Sequence, residues 1–428
     1  MEKIKLALIC HFSYPAIRKQ LDLRQGKYYQ YRDFAKWNVN IIDALRLRDD
    51  IELHVVALHD GMRHATQEFV FGGVHYHFYR QDLPYPWTQI EHHLFPQSKR
   101  NYPRNRRYAK RFLSQIQPDI VNLIGAENTF FSITALEVEN TPLMIHCQTV
   151  YANPDRIKNT GSVNKQRWDT ELKLFHKSQY LACTGRMYYD LIKGYEPKAF
   201  VFPRKWPVSG FPSIAEIPKK YDFVFFARIL CKNKGFDNAI EAMGWFVKIH
   251  PEAKFLAVGS KDSEWSIYDK RIKELGLDLN LEIHPPFPEY VDVLQYVKQS
   301  RFALLPITMD VLSGTILESM RMGLPVVTCR TSGTPSLNEK RDTVLISDIG
   351  DVEGLVQNML RLYETPSLQD DLRNNAYLYL KEKDTENENN VDIMITQFKA
   401  VINHFRNGTP IPQELLYNTA ENIDYRKQ

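Results

Sequence analysis

The chain alternates short apolar runs with longer segments of helical period. In its first half, KLALIC (5–10), ELHVVAL (52–58), VHYHFYR (74–80), DIVNLIG (119–125), PLMIHC (142–147), YLACTG (180–185) and AFVFP (199–203) predict strands. Several are apolar throughout rather than every second residue, the pattern of parallel strands covered on both faces. Between them the spacing predicts helices over about 33–48, 104–115, 128–138 and 167–177, the first with Phe34, Trp37, Ile41 and Leu45 on one face. A passage rich in proline and glycine, FPRKWPVSGFPSIAEIPKK (202–220), breaks the pattern.

The pattern then restarts. DFVFFARI (222–229), KFLAVGS (254–260), LEIHP (281–285), FALLPI (302–307), PVVTC (325–329) and TVLIS (343–347) predict strands. Helices are predicted over 235–250, 262–275, 289–299, from near 314, and over 351–364 and 367–381. KEKDTENENN (381–390) reads as a polar break before a last helix at about 391–406. Right-handed crossovers make each β-α series a parallel, doubly wound sheet. The expected fold is therefore α/β, with two Rossmann-like domains in series, 1–204 and 205–388, and a C-terminal helix and tail, 389–428. Such sheets bind ligands at the carboxyl ends of their strands, so a cleft between the two domains is the expected site.

Composition narrows the class. The 428 residues suit two or three domains, and 43% hydrophobic with 25% charged residues excludes a disordered or fibrous chain. A net charge of +4 is too weak to imply nucleic acid, and no RNA motif accompanies it. Five cysteines without a CxxC pair predict reduced thiols and no zinc site. The opening MEKIKLALIC reads as too short an apolar run for a signal peptide, and no run approaches a transmembrane length. A cytoplasmic protein is expected.

Two stretches carry candidate chemistry. In FVFFARILCKNKGFDNAIEAM (223–243) a strand leads to Arg228, and Lys234-Gly235 opens a helix. Helix N-termini offer unsatisfied amides and a positive dipole, and an arginine fork with a lysine charge suits a diphosphate. The alternative is a solvated loop with ordinary basic residues. In TMDVLSGTILESMRMGLPVVTCRTSG (308–333), Asp310 lies beyond a strand, Ser313-Gly314-Thr315 forms a small-residue turn, and Glu318 is placed in the first turn of the next helix. A carboxylate there can accept the hydroxyls of a ribose. The alternatives are a solvated loop for Asp310 and helix-dipole stabilisation for Glu318.

Taken in order, ARILCKNKGFDNAIEAM, KFLAVGS and DVLSGTILESMRMGLPVVTCRTSGTPSL resemble the C-terminal domain of family 4 glycosyltransferases, retaining enzymes of the GT-B architecture. The resemblance covers about residues 221–365 closely and the first half only in layout. It departs from the family pattern at Ala227, where a glycine is usual, at Asp310, where a glutamate is usual, and in a longer Arg228-to-Lys234 loop that makes Lys232 a rival to Lys234. HFSYPAIRKQ (11–20) replaces the family's glycine-rich loop.

The resemblance implies roles. Arg228 and Lys234 would neutralise the departing diphosphate, and Glu318 would hold the ribose. Asp310 with Ser313, Gly314 and Thr315 would orient the transferred sugar. Pro286 and Phe287 in HPPFP (284–288) would cradle the nucleobase. His146, ending PLMIHC, would sit beside the donor sugar, its alternative being a core histidine. Glu127, Phe12 and Ser13 would contact the acceptor, although Glu127 also suits a helix cap. The last helix would return to the N-terminal domain.

The implied reaction is transfer of a hexose-type sugar from a nucleoside diphosphate to a glycan or lipid-linked acceptor, in cell-surface polysaccharide synthesis. In the front-face model for such enzymes the protein positions reactants and stabilises charge without supplying a nucleophile. No Asp-x-Asp occurs, so no metal and no cofactor beyond the nucleotide-sugar substrate is expected. The absence of G-x-G-x-x-G disfavours an NAD enzyme. SKRNYPRNRRYAKRF (98–112) holds seven basic residues from Lys99 to Arg111, near Trp87 and Phe95, and reads as a surface for an anionic membrane or as a solvated helix face. Two rivals stand beside the transferase. One is a sugar-nucleotide epimerase of similar shape, and the other a non-catalytic sugar-nucleotide-binding partner of another transferase.

Overall fold

The computed structural model describes residues 3–25, 33–83, 87–160, 163–207 and 210–420. They fall into two compact units, described separately below. The first takes in the described residues up to 207 together with 387–420, and the second 210–386.

Within the first unit, the strands are β1 (Ile4–Cys10), β2 (Ile51–Leu58), β3 (Thr66–Phe71), β4 (Val74–Tyr79), β5 (Ile120–Ile124), β6 (Leu143–His146), β7 (Tyr180–Cys183) and β8 (Phe200–Pro203). Among the described residues they form one sheet in the order β3-β4-β2-β1-β5-β6-β7-β8. All neighbours are parallel except β3, which runs antiparallel to β4. The continuously apolar runs of β5, β6 and β7 are buried along their whole length, as their lack of alternation predicts.

The edge strand β3 is not predicted, because its exposure is mixed and its residues TQEFVF carry little apolar signal. It is formed by a tight hairpin at Gly72-Gly73, whose φ values of 57° and 80° only glycine adopts without strain. Strand order reverses between β1 and β5, which makes their carboxyl ends the topological switch point of this sheet.

Helix boundaries depart from expectation in instructive ways. The segment predicted over 33–48 is helical only at Lys36–Leu45 and buries Val39, Ile41, Ile42 and Leu45, while Trp37 faces outward. Phe34 lies before the helix, its backbone bridged to Ser13. The 128–138 helix splits into Thr129–Ser132 and a 3₁₀ turn at Ile133–Glu137. Helices Trp87–Leu94 and Arg186–Tyr195 were not predicted. The polar break at 381–390 is largely helix: Pro366–Asn387 ends only two residues before Asn390–Asn407 begins. Lys and Glu are good helix formers, so a charged run without Gly or Pro continues the helix. Met394, Ile395, Phe398, Val401 and Ile402 of the last helix are buried in the core of the first unit.

For the second unit, β9 (Tyr221–Leu230), β10 (Phe255–Lys261), β11 (Leu281–His284), β12 (Ser300–Leu305), β13 (Val326–Cys329) and β14 (Leu345–Ser347) form a parallel sheet ordered β11-β10-β9-β12-β13-β14. Phe223, Phe246, Phe255 and Phe302 meet ring to ring in its core. Its switch point lies between β9 and β12. Among the described residues no helix is long and apolar enough to cross a membrane.

Candidate active site

The switch point of the second unit is where the candidate donor residues gather. β9 runs two residues past Arg228, and its register against β10 slips: Phe226 pairs with Val258, but Ile229 pairs with Ser260. Ala227 and Arg228 therefore oppose the single residue Gly259. A Cβ on Gly259 would lie 2.3 Å from the Ala227 carbonyl oxygen, so the strands can approach only because it is glycine. Such a bulge re-aims side chains at sheet ends. Here it coincides with the change from the buried run at 223–226 to an exposed Arg228.

After β9 the chain makes a 3₁₀ turn, Lys232–Lys234, and enters helix Phe236–Phe246 through Gly235. Gly235 has φ +79°, and a Cβ there would lie 1.8 Å from the Pro306 carbonyl oxygen. The glycine thus presses the loop after β9 onto the loop after β12. Thr308 Oγ1 fastens the two by donating to the Asn233 carbonyl at 3.2 Å. Across this seam Lys234 Nζ donates to Asp310 Oδ2 at 2.6 Å, with both side chains about one-third exposed. The structure separates the two rival lysines: Lys234 pairs with Asp310, while the Lys232 side chain is exposed.

Beyond Asp310, Val311 accepts hydrogen bonds from Thr331 Oγ1 (2.5 Å) and the Gly333 amide (3.1 Å), which anchor the loop. Ser313 is the N-cap of helix Gly314–Arg321, and its hydroxyl lies 3.0 Å from Thr315 Oγ1. Glu318 is the fifth residue of that helix and not in its first turn. The helix dipole acts mainly on the first turn, so dipole compensation does not account for this carboxylate. Its Oε1 accepts from the Tyr290 hydroxyl at 2.7 Å. Burial, and then the adjoining Glu318, raise the Tyr290 pKa, so the phenol stays a donor. Tyr290 opens helix Tyr290–Val297 just after HPPFP, where His284 and Phe287 stack at 4.3 Å and 7° and Pro286 is half-buried. The sequence reading missed Tyr290, although its place two residues past Pro288 was visible.

The first unit differs. His146 was expected beside the sugar, but it is fully buried, its ring edge-on to Phe398 of the last helix at 6.1 Å. Its Nδ1 lies 2.6 Å from Asn122 Nδ2, and burial lowers its pKa to about 3. Burial keeps the imidazole neutral, and its Nε2 is buried without a hydrogen-bond partner among the described residues. Phe12 is likewise fully buried, packed near Tyr14 and Phe78. Ser13 is 2% exposed and accepts from Arg18 at 3.0 Å. Both side chains lie in the interior, and the loop after β1 is held by the Ser13–Phe34 bridge.

Glu127 keeps its position at the end of β5, on the switch point of this sheet. It is 5% exposed, and burial pushes its carboxyl up to about 7 against the pull of Arg167, Arg204 and Arg156. Oε1 accepts from Asn128 Nδ2 at 3.0 Å, and Oε2 is buried without a hydrogen-bond partner among the described residues. Gln148, with its amide turned to suit its neighbours, donates to Oε1 at 3.2 Å and accepts from Trp37 at 3.0 Å. Gln148 and Trp37 were missed because only the fold brings them to Glu127.

The basic run is largely neutralised. Arg100 and Arg104 face Glu91, Arg106 meets Glu137, Lys110 meets Glu139 and Arg111 lies 3.9 Å from Glu68. Five of the seven basic residues thus have carboxylate partners among the described residues, two of them sharing Glu91. Trp87, Ile90, Leu94 and Phe95 are exposed nearby, alongside the exposed His92, His93, Lys99 and Arg107.

Comparison with known proteins places part of the chain beside a known family. Residues 211–379 match the family model described as glycosyl transferases group 1. That stretch is about two-fifths of the chain and includes Arg228, Lys234, Asp310 and Glu318. Trehalose phosphorylase from Grifola frondosa is 23% identical over 180 residues, 41% of this chain, and the match spans only 23% of that protein's length. The structure of sucrose-phosphate synthase from Thermosynechococcus elongatus matches 93% of this chain and 98% of its own, at 13% identity and a TM-score of 0.68. That of Anabaena Alr3699/HepE, in complex with UDP and glucose, matches 92% and 100%, at 13% identity and a TM-score of 0.62. At these identities the likeness establishes the fold, which is that of GT-B glycosyltransferases. The chain thus combines a partial match to the glycosyl transferases group 1 model with the GT-B fold.

Proposed function

We propose that this chain transfers a sugar, with retention of anomeric configuration, from a nucleoside-diphosphate sugar to a glycan or lipid-linked acceptor. The observation that carries the reading is the seam at the β9/β12 switch point, where Lys234 pairs with Asp310 beside Arg228 and the Ser313–Thr315 helix entrance. A diphosphate bound there would compete with Asp310 for Lys234, and Arg228 and the helix amides would share its charge. Phosphate departure is the step in which charge grows, so donors fixed at that place lower the barrier. Glu318, oriented by Tyr290, would accept the ribose hydroxyls, and the His284–Phe287 stack would flank the base. UDP is the favoured nucleotide, by analogy with the UDP in the Anabaena structure.

The acceptor hydroxyl would attack the face from which the nucleotide leaves, and a phosphate oxygen would take its proton. No metal is needed in this scheme. Glu127 would bind an acceptor hydroxyl through its unpartnered Oε2. A role in cell-surface polysaccharide synthesis at the cytoplasmic membrane face fits the exposed Trp87, Ile90, Leu94 and Phe95, which would enter the headgroup region.

The test is nucleotide release from UDP-, GDP- and ADP-sugars at 25 °C, with and without EDTA, in wild type and Glu318→Ala. Release from one donor that survives EDTA and collapses in the variant is expected. The second reading, a non-catalytic sugar-nucleotide-binding partner, draws on the burial of Phe12 and Ser13 and on Asp310 where the family has glutamate. It requires nucleotide-dependent thermal stabilisation without release, even with lipid-linked acceptors supplied.

A further inference from the structure

Away from the strand carboxyl ends, the sheet of the first unit carries a group of imidazoles that the transfer reaction does not use. Side chains alternate along a strand, so Glu52 and His54 share one face of β2, and His75 and His77 share one face of β4. The strands are parallel with His54 opposite His75, which brings all four side chains together near the strands' amino ends. The His54 ring stacks on His75 at 4.6 Å and lies 5.4 Å from His77.

Ligand atoms of Glu52, His54 and His75 all lie within 4.8 Å of one another, and His54 Nε2 is 2.9 Å from Glu52 Oε1. A tetrahedral ion with bonds of about 2.0–2.1 Å sets its ligand atoms roughly 3.3 Å apart, between those two separations. Glu52 and His75 are half-buried and have room to adjust. The other nitrogen of His54, Nδ1, lies 3.1 Å from His77 Nε2, and His77 Nδ1 lies 2.8 Å from Glu68 Oε2. A ligating imidazole whose far nitrogen is fixed by a chain ending in a carboxylate is the arrangement that orients metal ligands. Two imidazoles and one carboxylate favour zinc-like ions over magnesium or calcium. Lys5 Nζ, 3.9 Å from Glu52, is an ion-pair partner that such an ion would displace.

We propose that Glu52, His54 and His75 bind one divalent transition-metal ion of the Zn²⁺ type, with His77 and Glu68 orienting His54. The ion clips β2 to β4, and through the Gly72-Gly73 turn it secures the β3 edge. It takes no part in sugar transfer, and the inference does not rest on the function proposed above.

The experiment titrates the chelator-stripped full chain with Zn²⁺ by calorimetry. One equivalent bound with a dissociation constant of about 1 µM or tighter is expected. His54→Gln with His75→Gln should weaken binding at least about 100-fold, and His77→Gln about 10-fold. Circular dichroism in EDTA checks that each variant folds. If one does not, X-ray absorption of the Zn²⁺-loaded wild type decides: a shell of two imidazoles with oxygen supports the site. No stoichiometric binding, unchanged affinity in a folded double variant, or a shell containing sulfur or oxygen alone overturns it.

Discussion

The two switch points have the same topology and opposite character. At β9/β12 the polar side chains stand on loops and keep contact with water: Lys234 and Asp310 are each about one-third exposed, and Arg228 is exposed. At β1/β5 they are withdrawn: Glu127, Ser13 and His146 are 5%, 2% and 0% exposed. A loop built to take up an anion holds its cations hydrated and weakly paired, so that the ligand can replace the partner at little cost. A carboxyl pushed into the interior gains nothing from water and shifts toward its neutral form. The first arrangement suits a charged, strongly held ligand, and the second suits hydroxyls.

The sharpest way to break this comparison is to remove the donor-side cation. Lys234→Ala should lower donor turnover about 10²–10³-fold, the size seen when one charge-stabilising donor is lost. Lys232→Ala should change it less than about 3-fold. Steady-state nucleotide release measures both, and equal effects would show that the Asp310 pair does not mark the working lysine.

The same seam can be broken through the backbone. Gly235→Ala places a Cβ at positive φ and against the Pro306 carbonyl. It should destabilise on the order of 3 kcal/mol in urea unfolding. Gly323 is also at positive φ (72°) but has open space where a Cβ would go, so Gly323→Ala should cost only about 1 kcal/mol.

On the other side, Glu127 makes a pH prediction. Its folded pKa is about 7 against an ordinary value of 4.5, so the native state holds the extra proton between those values. Stability from this group is therefore full below pH 4.5 and falls as pH rises toward 7. Above pH 7 the loss approaches on the order of 3 kcal/mol. Glu127→Gln should match wild type near pH 4.5 and exceed it at pH 8 in thermal unfolding. A constant difference at all pH values would mean the carboxyl is not stored as an acid. Glu171, pushed up to about 8 by burial, keeps a similar slope in both proteins, and His146 acts in the opposite sense, losing stability as pH falls from 6.5 toward 3.

Most of the fold was legible because parallel strands announce themselves as apolar runs. What escaped had a weak signal: the run Phe69-Val70-Phe71 of β3 is only three residues long and is completed by its turn, and the charged stretch after 381 is helical by propensity alone. The proximity of the candidate donor residues was legible because they are close in sequence to two strand ends. Even so, choosing between Lys232 and Lys234 needed the position of Asp310, 76 residues after Lys234. The burial of His146 beside Phe398 was not legible, because the helix that covers it is distant in sequence. The Glu52–His54 and His75–His77 pairs were invisible as a group, since only the parallel register of β2 and β4 sets them side by side.

The finest test concerns Tyr290, which touches Glu318 and no part of the expected reacting centre. Tyr290→Phe removes one hydrogen bond and should cost about 1 kcal/mol of stability. If Glu318 holds the ribose equally in ground and transition states, the donor KM should rise about 3- to 10-fold while kcat stays nearly constant. A fall in kcat at unchanged KM would instead mean that the Tyr290–Glu318 pair acts on charge that appears only during transfer. Glu318 would then belong with Lys234 in the reacting half of the site, and the division of the donor loop into a binding carboxylate and stabilising cations would have to be redrawn.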